Sequence, residues 1–414
     1  MSGFNYSGGQ LCAEQVPLSE IARRVGTPCY VYSRGAIESN WRAYDAAFGG
    51  RRHLVCFAVK ANGTLAVLQL LARLGAGFDI VSGGELERVI AAGADPSRVI
   101  FSGVGKRRDE MQQALLARIR CFNVESRSEL LRLNEVASSV DVKAPVALRI
   151  NPDVDPDTHP YIATGLRQSK FGIAYEEAVA ACREAAALPH IQVCGVACHI
   201  GSQITSPDPF DNAVDRMAAL LIDLRGAGIE PGCLDMGGGM GIRYRDESPP
   251  APERIVRPLC ESIPDPRVEL VLEPGRSIVG NAGVLLTRVE YIKQNGGRYF
   301  AVVDAGMNDL LRPALYDAWH EILPVASGSD APQRAYDVVG PVCESGDFLG
   351  RSRGLRLAEG DLLAVCSAGA YGACMGSNYN ARPRPAEVLV SAHHEQVIRG
   401  RESIADLMRG ETLI

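Results

Sequence analysis

The sequence predicts an α/β protein in which a TIM-like (β/α)8 barrel is followed by a C-terminal β-rich domain. Eight short apolar runs recur along the first two thirds of the chain, and segments long enough for a helix separate them, which is typical of parallel βα units. A polar or glycine-rich cluster follows every run, as expected where barrel loops carry a binding site. The strand pattern alone also fits a doubly wound open sheet, and that alternative stays open.

The predicted barrel strands lie at residues 55–59, 78–81, 99–101, 121–124, 146–150, 193–200, 233–236 and 269–272. Eight is the number of strands that closes such a barrel, and the early spacing suits one strand and one helix per unit. Apolar residues with a helical period are clear at 65–71 and 85–90, between predicted strands.

The β-rich domain is predicted from a change of pattern near residue 275. Apolar runs at 284–292, 299–303, 336–339, 361–365 and 386–390 are separated by Gly, Pro and Asp turns, and helical patterning is sparse until 403–408. We assign residues 34–275 to the barrel, and residues 1–33 and 276–414 to the β-rich domain.

Composition and charge exclude several classes of protein. The net charge of -6 lacks the basic footprint of a nucleic-acid binder. No apolar run reaches the roughly 18 residues of a membrane span, and no signal peptide is visible, so we expect a cytoplasmic protein. The twelve cysteines include no Cys-x-x-Cys pair, which predicts buried thiols in a reducing compartment and no metal site.

Lys60 ends the first predicted strand, directly after an apolar run. A buried ammonium group without a partner is costly, so a lysine here either extends its amine into solvent or serves chemistry. A desolvated lysine has a lowered pKa and can form a Schiff base with a carbonyl compound. The segment alone leaves both interpretations open.

A run of glycines follows the seventh predicted strand. Gly237, Gly238 and Gly239 would let backbone N–H groups approach an anion closely, as a phosphate site requires. Ser202, after the sixth strand, could add a hydroxyl. Such a run is more often a flexible turn, but at the end of a barrel strand we favour the phosphate site.

Two side chains at strand ends suit a flat heterocycle. Glu273 offers a carboxylate to a ring nitrogen, or else forms a surface pair with Arg276. His199 stacks on a ring, acts as a base, or is a hydrogen-bonded core residue. With a Schiff-base lysine and a phosphate site, these groups describe pyridoxal 5′-phosphate. We expect Pro274, Gly275 and Arg276 to line the cofactor site beside Glu273.

The β-rich domain adds candidate substrate groups. Cys343 and Glu344 lie in a loop bounded by Gly and Pro. The thiol there is an acid, a nucleophile or a surface group without a chemical role. Arg312 and Tyr316 are four residues apart, so they can share one face of a helical turn, and the arginine suits a carboxylate substrate. Tyr371 stands among small residues.

The motifs together closely resemble the diaminopimelate decarboxylases, which belong to the alanine-racemase-like (fold type III) pyridoxal-phosphate enzymes. The resemblance runs from about residue 27 to the C-terminus and rests on residues 57–62, 199–203, 237–239, 273–276, 343–345 and 368–372. It implies a barrel and a β domain that form a head-to-tail homodimer, with two active sites at the interface. The implied reaction is decarboxylation of meso-2,6-diaminopimelate to L-lysine and CO2, the last step of lysine biosynthesis.

The resemblance also implies a role for each candidate residue. Lys60 would hold the cofactor, His199 would stack on its face, and Glu273 would pair with the pyridine nitrogen. The phosphate would be bound by Ser202, Gly237, Gly238 and Gly239. Substrate carboxylate would be held by Arg276, Arg312 and Tyr316. Glu344, Tyr371 and Cys343 would come from the partner chain, with Tyr371 also touching the cofactor and Cys343 protonating the carbanion.

Three other functions compete with this one. Ornithine and arginine decarboxylases share the lysine, histidine, glycine and Glu-Pro-Gly-Arg elements, but they resemble Cys-Asp rather than Cys-Glu-Ser in the cysteine loop. Glu344 and Arg312 supply charges for a distal amine and a second carboxylate, which favours diaminopimelate. A non-catalytic pyridoxal-phosphate-binding regulator would not need Cys343. A racemase would want two opposed acid/base groups and no clamp for a second carboxylate.

Overall fold

The structure, a computed structural model, describes residues 3–155, 158, 165 and 169–414. It divides into two compact units. The barrel unit consists of Asn40–Ile242 and Ser248–Ser277, and the β-rich unit consists of Met1–Ser39, Arg243–Glu247 and Ile278–Ile414. The domain bounds that the sequence predicts, 34 and 275, lie a few residues from these unit bounds. The place of Arg243–Glu247 in the β-rich unit is a feature that the sequence did not predict.

The chain begins with elements of the β-rich unit. They are β1 (Phe4–Ser7), β2 (Gln10–Ala13), β3 (Val16–Pro17), α1 (Leu18–Val25) and β4 (Cys29–Ser33), after which α2 (Arg34–Ala47) follows. The hydroxyl of Ser33 accepts a hydrogen bond from the backbone N–H of Ala36 at 3.1 Å. This serine therefore caps the start of α2, since an N-cap oxygen pairs with an N–H of the first turn.

The barrel unit alternates strands and helices. In chain order they are β5 (His53–Ala58), α3 (Leu65–Arg73), β6 (Gly77–Ile80), α4 (Gly83–Ala91), β7 (Val99–Phe101), α5 (Arg108–Leu116), β8 (Cys121–Val124), α6 (Arg127–Ser139), β9 (Ala144–Asn151), β10 (Ile173–Ala174), α7 (Ala178–Ala187), β11 (Ile191–Ala197), α8 (Asp208–Gly226), β12 (Cys233–Asp235), α9 (Pro252–Ser262) and β13 (Glu269–Leu272). Short 3-10 helices lie at Val59–Ala61, Pro96–Arg98 and Tyr175–Glu177.

The parallel strands of this unit close into a barrel. The strand order is β9-β11-β12-β13-β5-β6-β7-β8, and β8 pairs with β9 to complete the ring, while β10 pairs with β9 outside it. The predicted barrel is confirmed, and the alternative of an open sheet is wrong. All eight predicted strands are present, with 99–101, 121–124 and 269–272 matching β7, β8 and β13 at both ends.

Two predicted strand ends need correction. β5 ends at Ala58, and Lys60 lies in the 3-10 turn that follows, where the N–H of Asn62 bonds to the carbonyl of Val59 at 3.0 Å. β11 ends at Ala197, so His199 lies in the loop beyond it. In both places the apolar run continues past the last ladder hydrogen bond, because loop residues at a barrel end are also buried.

The β-rich unit continues with α10 (Arg276–Val279), β14 (Gly283–Asn295), β15 (Arg298–Val303), α11 (Arg312–Tyr316), β16 (Ile322–Pro324), β17 (Gln333–Val339), β18 (Phe348–Arg356), β19 (Leu362–Val365), β20 (Ala386–Ser391), β21 (His394–Arg399) and α12 (Ile404–Leu407). Its main sheet has the order β18-β17-β15-β14-β4-β20-β21, and β19 joins β14 and β16. Its core includes Val31, Val284, Leu286, Ala364 and Val388, which are all fully buried.

The sequence missed several strands of this unit. β18 mixes buried residues with the exposed Arg351 and Arg356 and contains two glycines, and β21 fully buries none of its residues. Edge and hairpin strands of this kind bury too little for an apolar run to mark them.

Three further facts concern membranes, metals and thiols. Within the described residues, none of the helices combines the length and the apolar composition that a membrane crossing needs. No group of three or more His, Cys, Asp or Glu side chains in the described part of the chain is arranged to hold a metal ion. All twelve cysteines are free, and seven of them are buried.

Candidate active site

A cavity of about 420 Å³ lies at the carboxyl ends of the barrel strands. Residues of β8, β9 and the loops after β5, β7, β11 and β13 line it, among them Lys60, Ser102, Asn123, Arg149, His199 and Glu273. Catalytic groups of barrels collect at this end because the βα loops converge there. The cavity is therefore the candidate active site.

Lys60 makes an ion pair inside this cavity. Its Nζ lies 2.5 Å from Oδ2 of Asp79, which is a fully buried residue of β6. The turn that carries Lys60 is held from the side, because the carbonyl of Pro274 accepts a hydrogen bond from Ala58 N–H at 3.2 Å. A Cβ added at Gly275 would lie 3.0 Å from the Cβ of Ala58. Only glycine allows this approach without displacing the turn.

Glu273 lies at the floor of the cavity among other acids. Burial raises the pKa of its carboxyl well above the ordinary range, and the charges of Asp235 and Asp79 raise it further, while Lys60 opposes them. The amide Nδ2 of Asn123 lies 3.4 Å from Glu273 Oε1. Two neighbouring acids in a dry site cannot both ionise cheaply, so this environment favours the protonated form of the Glu273 carboxyl.

His199 is neutral and touches the glycine run. Its Nδ1 accepts a hydrogen bond from the N–H of Gly238 at 3.1 Å, which leaves the ring proton on Nε2. Burial lowers the pKa of His199 well below its ordinary value, and the charges of Arg149 and Lys60 lower it further. The imidazole therefore stays uncharged across the physiological range.

The glycine run is a tight cradle. Gly237 and Gly239 have left-handed φ angles of 67° and 109°. A Cβ added at Gly238 would lie 2.1 Å from the carbonyl oxygen of Glu273, and one at Gly239 would lie 2.3 Å from that of Gly201. No other residue fits these positions, which is what a backbone site for a phosphate group requires.

Ser202 and Arg276 are in direct contact. The guanidinium Nη2 of Arg276 donates to the hydroxyl of Ser202 at 2.9 Å, and Arg276 is 6% exposed. Of the cofactor residues that the sequence predicts in the barrel unit, Lys60, His199 and Glu273 line the cavity, and the roles of the others stay predictions.

Arg312 of the β-rich unit is buried and oriented by two aromatic rings. Its guanidinium lies 4.5 Å from the ring centre of Tyr244, and its Nη1 lies 2.8 Å from Nε2 of His320. His320 Nδ1 lies 2.7 Å from the carbonyl of Cys366, so Nδ1 carries the proton and Nε2 accepts from the arginine. Tyr316 ends the same short helix, α11, as the four-residue spacing predicts.

Cys343 and Glu344 lie on an exposed loop of the β-rich unit. The buried carboxylate of Asp347 braces this loop by accepting from Val342 N–H at 2.6 Å. The hydroxyl of Tyr379 donates to Glu344 Oε1 at 2.5 Å, and Cys343 N–H donates to the side-chain oxygen of Asn380 at 3.0 Å. The Cys343 side chain is exposed.

Tyr371 stands in an unfavourable backbone conformation. Its φ angle is 54°, in the left-handed region that a bulky side chain rarely adopts. The next residue must be small, because a Cβ at Gly372 would lie 2.4 Å from the carbonyl oxygen of Ala368. Strain of this kind is usually retained at functional sites. Where Tyr371, Arg312, Tyr316, Cys343 and Glu344 lie relative to the barrel residues stays a prediction.

Sequence reasoning missed three acids and an amide in the barrel unit. Asp79, Asn123 and Asp235 lie within predicted strands and are almost fully buried, and Glu85 follows β6 at the start of α4. The available signal was a polar residue inside an otherwise apolar barrel strand, because such a residue must have a buried partner.

The charges of Lys60 and Asp79 both affect the pKa of Glu85. Burial raises its pKa to about 7, against an ordinary value of 4.5, with Asp79 adding to the rise and Lys60 opposing it. Its Oε2 accepts a hydrogen bond from Val81 N–H at 2.7 Å. Between about pH 4.5 and about pH 7 the folded chain therefore keeps a proton that the unfolded chain has released. A rise in pH through this range lowers the free energy of unfolding.

Glu85→Gln removes this titration but keeps the hydrogen-bond acceptor. We expect the melting temperature of the variant, relative to that of the wild type, to rise between about pH 5 and about pH 8. Glu87→Gln, at an exposed position of the same helix, is the matched control and should show no such trend. Parallel melting curves for wild type and Glu85→Gln at both pH values would contradict the assignment.

The groups in the barrel unit fit pyridoxal 5′-phosphate. A lysine amine lies in a cavity, a buried acid in surroundings that favour its protonated form lies at the floor, and a backbone cradle that excludes side chains lies beside a neutral histidine. The lysine suits the carbonyl of this cofactor, and the acid suits its basic ring nitrogen. The cradle suits its phosphate, and the histidine suits its flat ring.

Comparison with known proteins agrees with this chemistry. Residues 34–280 match the family model described as the pyridoxal-binding domain of the pyridoxal-dependent decarboxylases. The diaminopimelate decarboxylase of Pseudomonas aeruginosa is 58% identical over 414 residues, and that of Vibrio cholerae is 55% identical over 416 residues; each match spans the full length of both proteins.

Solved structures give the same result. The crystal structure of diaminopimelate decarboxylase from M. jannaschii in complex with L-lysine is 38% identical, with a TM-score of 0.95, and the match covers 100% of this chain and 98% of that one. The enzyme from Helicobacter pylori complexed with L-lysine is 40% identical, with a TM-score of 0.91 and coverage of 95% and 98%.

Proposed function

The chain belongs to the diaminopimelate decarboxylases, a group of pyridoxal-dependent decarboxylases, and from this premise we propose a role for each residue of the candidate site. It is a lyase that removes CO2 from meso-2,6-diaminopimelate to give L-lysine, the last step of lysine biosynthesis, with pyridoxal 5′-phosphate as cofactor. The observation that carries the residue assignment is the cavity in which Lys60, His199 and Glu273 lie together.

Lys60 holds the cofactor through its amine, and Asp79 holds Lys60. When bound, pyridoxal phosphate takes into its ring the electron pair that the departing carboxylate leaves behind. The fully buried carboxylate of Asp79 pairs with the amine of Lys60 and so positions it in the cavity.

Glu273 pairs with the ring nitrogen. Its carboxyl would share a proton with that nitrogen, and the positive charge on the nitrogen would offset the repulsion of the Glu273 carboxylate by Asp235 and Asp79. The imidazole of His199 would stack on the ring, and because it is uncharged it would add no repulsion to a positive ring nitrogen. Gly237, Gly238 and Gly239 would hold the phosphate together with Ser202, which Arg276 orients.

The Asp79→Asn variant tests the support of Lys60. We expect kcat/KM to fall by about tenfold to a hundredfold, because a charge-assisted partner of the amine is lost. The melting temperature should change little, since Lys60 remains partly solvated, with 36% of its side chain exposed. Asp109→Asn, at an exposed position of α5, is the control. A kcat/KM within twofold of the wild-type value would contradict this role.

The β-rich unit supplies most of the proposed substrate clamp. We propose that Arg312 and Tyr316, with Arg276 of the barrel unit, bind substrate carboxylate, and that Glu344 binds the distal amine with Tyr371 beside it. Arg312 suits this role because Tyr244 and His320 fix its guanidinium before any substrate binds. A substrate without the distal carboxylate gives up that ion pair, at a cost of about 1–3 kcal/mol.

The active enzyme is proposed to be a homodimer with shared sites. Cys343, Glu344 and Tyr371 would reach the cofactor of the partner chain, where the Cys343 thiol would give its proton to the substrate carbon that has lost CO2. We also propose a cytoplasmic location, since all twelve cysteines are free thiols. Cell fractionation that recovers the activity with membranes or outside the cell would contradict this location. No nucleic acid is proposed as a partner, given the net charge of -6.

Substrate choice is tested by offering the purified protein meso-diaminopimelate, ornithine and arginine separately and measuring the release of CO2. We expect release from diaminopimelate at a rate that exceeds the other two by at least about tenfold, because only this substrate fills both ends of the clamp. Release from ornithine or arginine alone would favour the other decarboxylases of the fold. No release from any of the three would favour the non-catalytic regulator.

A further inference from the structure

Asn123 and Glu273 line the cofactor cavity, and Asp235, outside that lining, accepts a hydrogen bond from Asn123. A second cavity of about 380 Å³ lies at the opposite end of the barrel, and Asn123 and Asp235 line it. Barrel interiors are usually filled by layers of large branched side chains. The second cavity leaves part of this interior unfilled, and its lining combines the small Cys121 and Ala147 with the branched Ile100 and Val193. The positions of Asn123 and Asp235 therefore depend on their hydrogen bonds as well as on packing.

The two oxygens of Asp235 serve opposite ends of the cofactor site. Oδ1 accepts a hydrogen bond from the N–H of Gly237 at 2.8 Å, and Oδ2 accepts one from Asn123 Nδ2 at 2.9 Å. The same Nδ2 lies 3.2 Å from Ser102 Oγ and 3.4 Å from Glu273 Oε1. Asp235 is 1% exposed, so water does not compete for these contacts.

We propose that Asp235 is a positioning residue that couples the phosphate end of the cofactor site, at Gly237, to the ring-nitrogen end, at Glu273. It fixes the backbone of the cradle with one oxygen and, through Asn123, the carboxyl of Glu273 with the other. This inference rests on the proposed placement of the phosphate and of the ring nitrogen.

The charges around Asp235 and Glu273 also couple these two residues. Burial raises the pKa of Asp235 as well as that of Glu273, and the charge of Asp235 raises the pKa of Glu273 further. Two neighbouring buried acids titrate as a pair and not independently. Asp79, Lys60 and Cys56 also face this pair. Replacing Asp235 therefore changes the neighbour on which the proton of Glu273 depends.

The test uses the full-length protein freed of cofactor and two probes that each report one end of the site. Inorganic phosphate, followed by calorimetry, reports the cradle. Pyridoxal, which lacks the phosphate and is followed by its absorbance, reports the ring end. Three variants are compared with the wild type: Asp235→Ala, Asp235→Asn and Glu273→Gln. Their melting temperatures show which of them fold.

The three variants have different expected results. Asp235→Ala removes both acceptors, so both probes should bind at least about tenfold more weakly. Asp235→Asn keeps an oxygen for Gly237 but presents an NH2 group to Asn123. Phosphate binding should stay within about twofold, and pyridoxal binding should weaken by about tenfold or more. Glu273→Gln should behave like Asp235→Asn, because it changes the ring end alone.

The outcomes separate the inference from the function on which it rests. If Glu273→Gln binds pyridoxal as the wild type does, the proposed placement of the ring is wrong. If Glu273→Gln behaves as expected but Asp235→Ala binds phosphate as the wild type does, only the coupling through Asp235 is wrong. If Asp235→Ala does not fold, Asp235→Asn decides, since unchanged pyridoxal binding by that variant would equally overturn the coupling.

Discussion

Replacement of Lys60 by alanine is expected to abolish both activity and the visible absorbance of the bound cofactor. The amine is the proposed covalent attachment, and its Nζ has no substitute on the short alanine side chain. We expect kcat to fall on the order of a thousandfold or more, as is usual when a group that forms a covalent bond is removed. The measurements are CO2 release from meso-diaminopimelate and the absorbance spectrum of the purified protein.

The alanine variant also removes the cation that pairs with the buried Asp79, so a loss of activity could result from loss of stability. A buried carboxylate that loses its partner destabilises the fold. Lys60→Arg is the matched control, since a guanidinium can pair with Asp79 but cannot attach the cofactor. We expect Lys60→Arg to melt close to the wild type and to be as inactive as Lys60→Ala. A cofactor band that survives in either variant would show that Lys60 is not the attachment.

The barrel was predictable because its strands are short and buried on both faces. Each of the eight strands is a short, mostly apolar run that contrasts with the helix after it, so both the number and the order of the strands follow from the sequence. The strand ends were less predictable. Residues just past β5 and β11 remain buried, and apolar patterning cannot distinguish a buried turn from the last residue of a strand.

The β-rich unit was only partly predictable, since its strands differ in what they bury. β20 and the first half of β14 bury most of their residues, and both strands were found. β18 and β21 carry exposed charged residues and were missed. The segment Arg243–Glu247 contributes Tyr244 to the surroundings of Arg312. Nothing local marks that contact, because it depends on residues far apart in the chain.

The candidate site divides in the same way. Residues in loops after strands, such as Lys60 and Glu273, could be predicted because each is a polar residue that directly follows an apolar run. Asp79, Asn123 and Asp235 were missed since each lies inside an apolar run. Their partners lie on other strands or just past the ends of other strands, at separations of 19 to 150 residues. Only the closed barrel brings those partners into contact.

Cys343→Ala is the second variant with a large expected effect. Because the thiol is the proposed proton donor, kcat should fall by about a hundredfold to ten-thousandfold, the range typical of general acids. The side chain is exposed, so the melting temperature and the absorbance of the bound cofactor should not change. Cys343→Ser, which retains a weaker donor of similar size, should be less impaired than Cys343→Ala. Equal activity of wild type and Cys343→Ala would exclude the thiol as the donor.

A mixture of two inactive chains then tests whether each site is shared. If Lys60 and Cys343 of one site come from different chains, a dimer of one Lys60→Ala chain and one Cys343→Ala chain has one site with both defects and one with neither. After subunit exchange of equal amounts, about a quarter of all sites should be intact, as the statistics of a twofold dimer require.

Lys60→Ala mixed with Glu273→Gln is the matched control. Both of these residues lie in the barrel unit, so every site would carry a defect and no activity should return. Restoration in neither mixture, with exchange demonstrated, would place Cys343 in the same site as Lys60 of its own chain. Restoration in the first mixture alone would assign the proton donor to the partner, and exposure of the Cys343 loop in a single chain would then reflect a surface that the dimer covers.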